Sequence, residues 1–212
     1  AITGTPAAAG TAVFDISLGG QDCGFAIQVQ PASSFQETLP VTINGQTRQM
    51  MTHNLGADQT QDPDVPSQAI MGNYYQWGKK NPVATAYISA AAISGWSTSA
   101  AANKAWNSGT EAAPVKTTND PCPDGFRVPT QSEWASFNTN STTSIIGTWV
   151  TTANGGDNNF TAARKFTNNG STLTFPTAGL RDYSTGALST RAYFGYYWSS
   201  TEASTYAYYL RF

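Results

Sequence analysis

Catalysis needs a positioned acid, base, nucleophile or metal, and this 212-residue chain offers few candidates. Its one histidine is His53. With no second His and no Cys beside it, His53 reads as structural rather than as a base or metal ligand. Cys23 and Cys122 lie about a hundred residues apart, without metal-ligand spacing. They either pair, in an oxidising compartment, or remain two buried thiols. Ser199 and Ser200 lack a G-x-S-x-G context, and a triad would have to recruit His53. Asp58, Asp62 and Asp64 are spaced like hard-cation ligands, but ADQTQDPD lacks the Gly and terminal Glu of a calcium loop. A solvated acidic loop is expected there. No enzyme, metal or cofactor is expected.

Recognition chemistry is concentrated in the last 32 residues, RDYSTGALSTRAYFGYYWSSTEASTYAYYLRF. Ten of the 32 are aromatic, and the stretch has no Asn, Lys, Gln, Met, His or Cys. Upstream, Asn is used freely, with pairs at Asn158/Asn159 and Asn168/Asn169. Tyr and Trp supply large, stiff contact area at low entropy cost, while Ser, Thr, Gly and Ala adapt around them. Arg adds charged anchors, and such residues dominate interface hot spots. A Tyr-rich sheet edge without a partner is the competing reading. Exposed aromatics at this density would leave an apolar patch of the kind that marks binding surfaces.

The elements that must hold these residues are short. Charged residues make up 11% of the chain, against about a quarter in a typical domain. Thr, Ser, Asn and Gln carry the surface instead, a texture common in secreted and cell-surface proteins. Net charge is -2 and no basic stripe suggests nucleic acid. No apolar run is long enough to span a membrane. The chain begins mid-pattern without Met and is expected to be a mature or trimmed fragment.

Gly and Pro punctuate at short intervals, the pattern of a loop-rich α+β or β protein. In residues 1–32, TAVFDISL and CGFAIQV alternate around GGQD and predict a β-hairpin. It is either the last piece of a preceding β-sandwich repeat or a hairpin docked on the rest of the chain. QPASSFQETLP reads as a linker. VTINGQTRQM predicts strand, Asn-Gly turn and strand. A short helix is expected near Ala100–Trp106. In VPTQSEWASFN, Thr130 and Glu133 form a capping box, with Trp134 and Phe137 on the buried face. TLTFPTAGL, YYWSS and AYYLRF read as short strands. Tyr74, Tyr75 and Trp77 are expected to pack in the core beneath the loops, as are Trp134, Trp149 and Trp198.

DPCPDGFRVPTQSEW, followed far downstream by GYYWSSTEASTYAYYLRF, resembles the Fibrobacter-type major paralogous domain, as do HNLGAD and GNYYQWGKKNP. That family is similar to C-type lectins and to formylglycine-generating enzymes. The resemblance covers about residues 41–212 and implies a C-type-lectin-like α+β fold, with short strands, few helices and long loops; the expected domain is 33–212, after the hairpin segment 1–32. Formylglycine-generating enzymes use cysteines late in the chain, and none follows Cys122 here. The tail reads WSST where sugar-binding lectins place calcium-binding carboxylates. Family members continue past a YYL-F string into a final strand; here that strand is expected to be absent or supplied by another part of the chain.

The tail, residues 180–212, also resembles the variable region of a diversity-generating retroelement target protein. There, template adenines are mutated, so that Asn codons are replaced by many others. Those codons cannot become Lys, Gln, Met, Trp or Glu. In the tail only Trp198 and Glu202 belong to that set, both inside YWSSTE. The resemblance implies a fixed framework of Gly179, Arg181, Gly186, Leu188, Gly195, Trp198 and Ser199 to Thr201. It implies a substituted, ligand-contacting set: Asp182, Tyr183, Ser184, Thr185, Ser189, Thr190, Ala192, Tyr193, Phe194, Tyr196, Ala203, Ser204, Thr205, Tyr206 and Arg211. Tyr183, Tyr193, Phe194, Tyr196 and Tyr206 would anchor the ligand, while Asp182 and Arg211 set charge preference. The expected function is recognition of a macromolecule, protein or surface glycan, outside the cell or on its surface. An invariant structural or adhesive exported domain, at a fimbrial tip or in the envelope, is the alternative. A cryptic hydrolase or oxidase of the formylglycine-generating type is the third reading.

Overall fold

Two Asn-Gly pairs close two of the hairpins. Asn44 (φ 50°) and Gly45 (φ 72°) join the strands Thr38–Ile43 and Gln46–Met51, and Asn169 (φ 51°) and Gly170 (φ 77°) join Ala163–Asn168 to Ser171–Pro176. A two-residue turn with both residues at positive φ matches the twist of the strands, and Asn and Gly reach it at least cost. The computed structural model of the chain describes residues 10–19, 21–29, 36–153, 156–204 and 206–212. Thr205 and the side chain of Cys23 lie outside the described residues.

In chain order the strands are β1 (Gly10–Leu18), β2 (Gln21–Val29), β3 (Thr38–Ile43), β4 (Gln46–Met51), β5 (Asn73–Tyr74) and β6 (Ala84–Thr85). Helix α1 (Gln131–Thr139) follows, then β7 (Thr142–Ile146), β8 (Ala163–Asn168) and β9 (Ser171–Pro176). The tail contributes β10 (Leu180–Arg181), β11 (Leu188–Ser189), β12 (Tyr196–Ala203) and β13 (Tyr206–Arg211). Among the described residues the sheets are small and antiparallel: one has three strands, β7–β8–β9, and the others are two-stranded hairpins. One α-helix and long loops complete a broadly α+β chain.

The predicted hairpin in 1–32 forms, with Leu18 opposite Gln21 across the turn. The capping box forms as well. The Thr130 hydroxyl accepts from the Glu133 amide at 3.3 Å, and the Glu133 carboxylate accepts from the Thr130 amide at 2.9 Å. No helix forms at Ala100–Trp106. Lys104 sits at φ 60°, outside the helical region, and Gly78 approaches so closely that a Cβ there would lie 2.2 Å from the Ala101 methyl. Strands β7 and β8 are not legible from sequence pattern alone.

The core joins sequence-distant pieces. Val41 and Ile43 from β3, Trp134 and Phe137 from α1, Phe166, Leu173 and Phe175 from β8 and β9, and Leu210 from β13 are buried together. Phe137 packs on Phe166 at 5.2 Å and on Phe175 at 5.8 Å, and Phe212 meets Phe166 at 5.4 Å. Tilted and edge contacts of this kind add roughly 0.5–1.5 kcal/mol per pair beyond burial. Buried Asn168 ties the layers with its side chain. It accepts from the Thr42 amide at 2.6 Å and donates to the Ser141 hydroxyl at 3.1 Å.

The DPCPDGFRVP string forms a clasp in front of α1. Fully buried Asp120 accepts from the Cys122 and Val128 amides, both at 2.8 Å. The Lys116 ammonium donates to the carbonyls of Cys122, Pro123 and Phe126. Arg127 then grips Glu133 through two bonds of 2.6 Å. Burial would raise the Glu133 pKa, but the bonds from Arg127 and Thr130 outweigh it and hold the carboxyl below its ordinary range.

Candidate functional site

The three glycines of the expected framework lie where a side chain has no room. A Cβ on Gly179 would come 2.3 Å from the Ser189 carbonyl, on Gly186 2.4 Å from the Trp96 ring, and on Gly195 2.4 Å from the Phe212 ring. Ser199 and Ser200 are buried in β12. The strand carrying them is fastened from several sides. The Trp134 indole N–H donates to the Trp198 carbonyl and that of Trp77 to the Ser199 carbonyl, each at 2.9 Å. The Ser200 amide donates to the Pro129 carbonyl at 2.8 Å. The Thr201 hydroxyl bonds the Glu111 carboxylate. Glu202 accepts from the Lys104 amide at 2.6 Å. A register break between Trp198 and Glu202 sets three residues of β12 opposite Tyr208 alone. Such a bulge twists the ribbon.

The other face of the ribbon is aromatic. Tyr196 pairs with Arg211 and Trp198 with Tyr209. A row of rings runs from Tyr193 to Phe194 (4.4 Å), to Tyr196 (6.0 Å), to Tyr209 (5.3 Å) and to Trp198 (6.2 Å). The Arg211 guanidinium lies over Phe194 at 5.1 Å. This row continues into an open groove of about 1530 Å³. From the tail, Asp182, Tyr183, Tyr196, Trp198, Ser204, Tyr206 and Tyr209 line it; from elsewhere Tyr75, Trp77, Trp96 and the 97–103 stretch do so.

Of the expected contact set, the groove gathers Asp182, Tyr183, Tyr196, Ser204 and Tyr206. Tyr183 and Tyr206 are the most open, at 83% and 80% exposure. Ser184 and Thr185 are exposed at the tip of the 182–186 loop. Ser189, Thr190, Tyr193, Phe194 and Ala203 are half-buried beyond the groove lining, and Arg211 is exposed there. Ala192 is a correction: it is 0% exposed, so its methyl presents nothing to a ligand. The Asp182 carboxylate accepts from the amides and hydroxyls of Ser184 and Thr185, which hold its pKa below the ordinary value. Its charge is spent on shaping the loop.

Trp198 is also a correction. Expected in the core, it is 37% exposed on the outward face of β12, with its N–H donated to the Tyr75 carbonyl at 2.8 Å. Trp149 is half-buried under Arg164, and of the three only Trp134 is core. Tyr74, Tyr75 and Trp77 are half-buried and line the groove instead of packing in the core. Sequence reasoning misses Trp96 and Tyr209. Trp96 sits in a segment of weak pattern, and its place depends on long-range bonds: Ile93 N–H to Thr185 O, and Trp96 Nε1–H to Tyr183 O, each 2.9 Å.

The groups weighed for catalysis are engaged. His53 is buried, with Nε2 3.0 Å from the Gln61 carbonyl and Nδ1 3.0 Å from the Thr52 hydroxyl. Burial, with Asp120 beside it, pushes the Cys122 thiol up to about 12, far from a thiolate at neutral pH. Cys122 is a free thiol. Asp58 and Asp62 cap the turns of their own loop, and Asp64 accepts from the Thr174 hydroxyl. The chain matches no family model, no curated protein and no solved structure with which it was compared.

Proposed function

We propose that this chain is a recognition module with a C-type-lectin-like scaffold over residues 33–212, exported to the cell surface, and that residues 180–212 are its diversified ligand-binding region. The observation that carries the reading is a mismatch between backbone and side chain. Six described non-glycine residues have positive φ: Asn44, Lys104, Asn169, Thr190, Ala192 and Ser204. Asn enters the left-handed region readily, whereas a β-branched residue such as Thr is a genuine outlier there. Two of the six are Asn. Three of the other four, Thr190 (φ 61°), Ala192 (φ 60°) and Ser204 (φ 57°), belong to the set expected to replace Asn. The backbone is shaped for a residue that the side chains no longer supply, as replaced Asn codons would leave it. The aromatic row and the groove supply the use of such replacement, since rings at this density outside the core favour a binding surface.

The test is in the DNA. The coding sequence for residues 180–212 is compared with its neighbourhood, beside a reverse-transcriptase gene. A near-copy is expected that differs only where the copy has adenine and that encodes Asn at positions 190, 192 and 204. Mismatches at other bases, or no copy, overturn diversification. They would leave the invariant adhesive domain, for which the Tyr193, Phe194 and Tyr206 to Ala combination should not affect adhesion.

A further inference from the structure

We infer that the groove binds an uncharged glycan chain, with a largely fixed aromatic floor that selects the ligand class and the substituted residues as a rim that selects among its members; this rests on the recognition reading above. The floor is Trp96, Trp198, Tyr75 and Tyr209. The indole N–H groups of Trp96 and Trp198 are bonded to the Tyr183 and Tyr75 carbonyls. With their edges tied, these rings offer faces, not donors. The Trp198 and Tyr209 rings stand 6.2 Å apart at 74°, two walls meeting nearly at right angles. The negative face of an aromatic ring attracts polarised C–H bonds such as those on the apolar face of a sugar.

The charged side chains lining the groove balance in sign, Arg48, Arg127 and Arg181 against Glu133, Asp182 and Glu202, and most are bonded within the protein. Glu133 is held by Arg127, Glu202 caps the Lys104 amide, and Asp182 caps its own loop. Arg181 donates to the carbonyls of Ile88, Ser89 and Gly186. Only Arg48 on β4 is a charged lining group without a hydrogen bond among the described residues. A neutral ligand is therefore the complementary one. Gln49, Thr98 and Asn103 line the groove and are exposed, and their side chains make no hydrogen bond among the described residues. Their amides and hydroxyl both donate and accept, which suits a hydroxyl-rich ligand. At about 1530 Å³ the groove exceeds the roughly 300–1,000 Å³ of small-molecule pockets and has room for several linked sugar rings. Tyr75 and Trp96 lie outside the tail, and Trp is not a product of adenine-directed change at Asn codons. Three of the four floor rings, Tyr75, Trp96 and Trp198, would thus stay constant while Tyr183, Tyr196 and Tyr206 vary.

The whole chain is run in native gels containing galactomannan, β-glucan or acidic polygalacturonate, and in parallel is panned against phage-displayed random peptides. Retardation by at least one of the two neutral polysaccharides is expected, persisting in EDTA and in about 0.5 M NaCl, where surface charge is screened. No retardation by polygalacturonate is expected. Trp96→Ala, Tyr209→Ala and Gln49→Ala should each weaken it about tenfold, roughly 1.4 kcal/mol, with Gln49→Ala leaving the urea midpoint unchanged. Binding indifferent to Tyr209→Ala and Gln49→Ala, or confined to polygalacturonate, overturns the inference. Peptide binding that Tyr196→Ala and Tyr206→Ala abolish, without polysaccharide retardation, overturns the glycan and leaves the recognition reading standing. No binding in either arm overturns both.

Discussion

Glu133 shows how much one carboxylate holds here: it closes the cap of α1 and anchors Arg127 of the clasp. Its folded pKa lies below the unfolded value. The stability it contributes is therefore present at neutral pH and is lost as pH falls from about 4.3 through the folded value. The urea midpoint should drop on acidification through that range. Glu133→Gln should be less stable at pH 7 and show a smaller acid-induced drop; an equal drop in both proteins would locate the acid sensitivity elsewhere. Thr190 and Ser204 make the opposite case, residues ill-suited to their own backbone. Thr190→Asn and Ser204→Asn should each raise stability, by roughly 0.5–1 kcal/mol, because Asn relieves part of the left-handed cost. Equilibrium urea unfolding reads this directly, and destabilisation by both changes would count against an ancestral Asn.

The β12–β13 hairpin is built from two populations of residues, and they should respond differently to substitution. Gly195 lies against the Phe212 ring, and its amide and carbonyl both bond the Phe212 backbone. Gly195→Ala must push that ring out of the core, at a cost of about 1–3 kcal/mol. Tyr206 is 80% exposed on the same hairpin. Tyr206→Ala should change stability by no more than about 0.5 kcal/mol. A hairpin diversified as proposed requires this separation. Comparable losses from both changes, in matched thermal or urea unfolding, would deny it.

At the scale of the molecule, a largely aromatic core cluster from α1, β3, β8, β9 and β13 joins pieces between residues 41 and 210, and the sheets among the described residues are small. Phe137 sits at its centre, fully buried against Trp134, Phe166 and Phe175. Phe137→Ala should cost about 3–5 kcal/mol. Because residues 41, 166 and 210 share the cluster, the loss should appear in one cooperative transition for residues 36–212. Unfolding of α1 ahead of β12–β13, followed by hydrogen exchange, would show that the cluster does not couple them.

The sequence by itself determined the parts whose signals close within a few residues. Thr130 and Glu133 satisfy each other's amides, Asn44-Gly45 meets its turn's need for positive φ, and alternation marks the outer hairpin. Such features need no distant partner, so they were legible. The tail was legible as composition: Tyr183, Tyr196 and Tyr206 stand out there without any geometry. Only the tertiary structure decided which rings face outward. Trp198 turns out because the Ser199 and Ser200 side chains go in, and Ala192 is lost to the interior because Gly156 packs against its methyl. Trp96 and Tyr75 reach the groove through bonds to tail carbonyls or from tail side chains roughly ninety or more residues away, and no local periodicity encodes such distances.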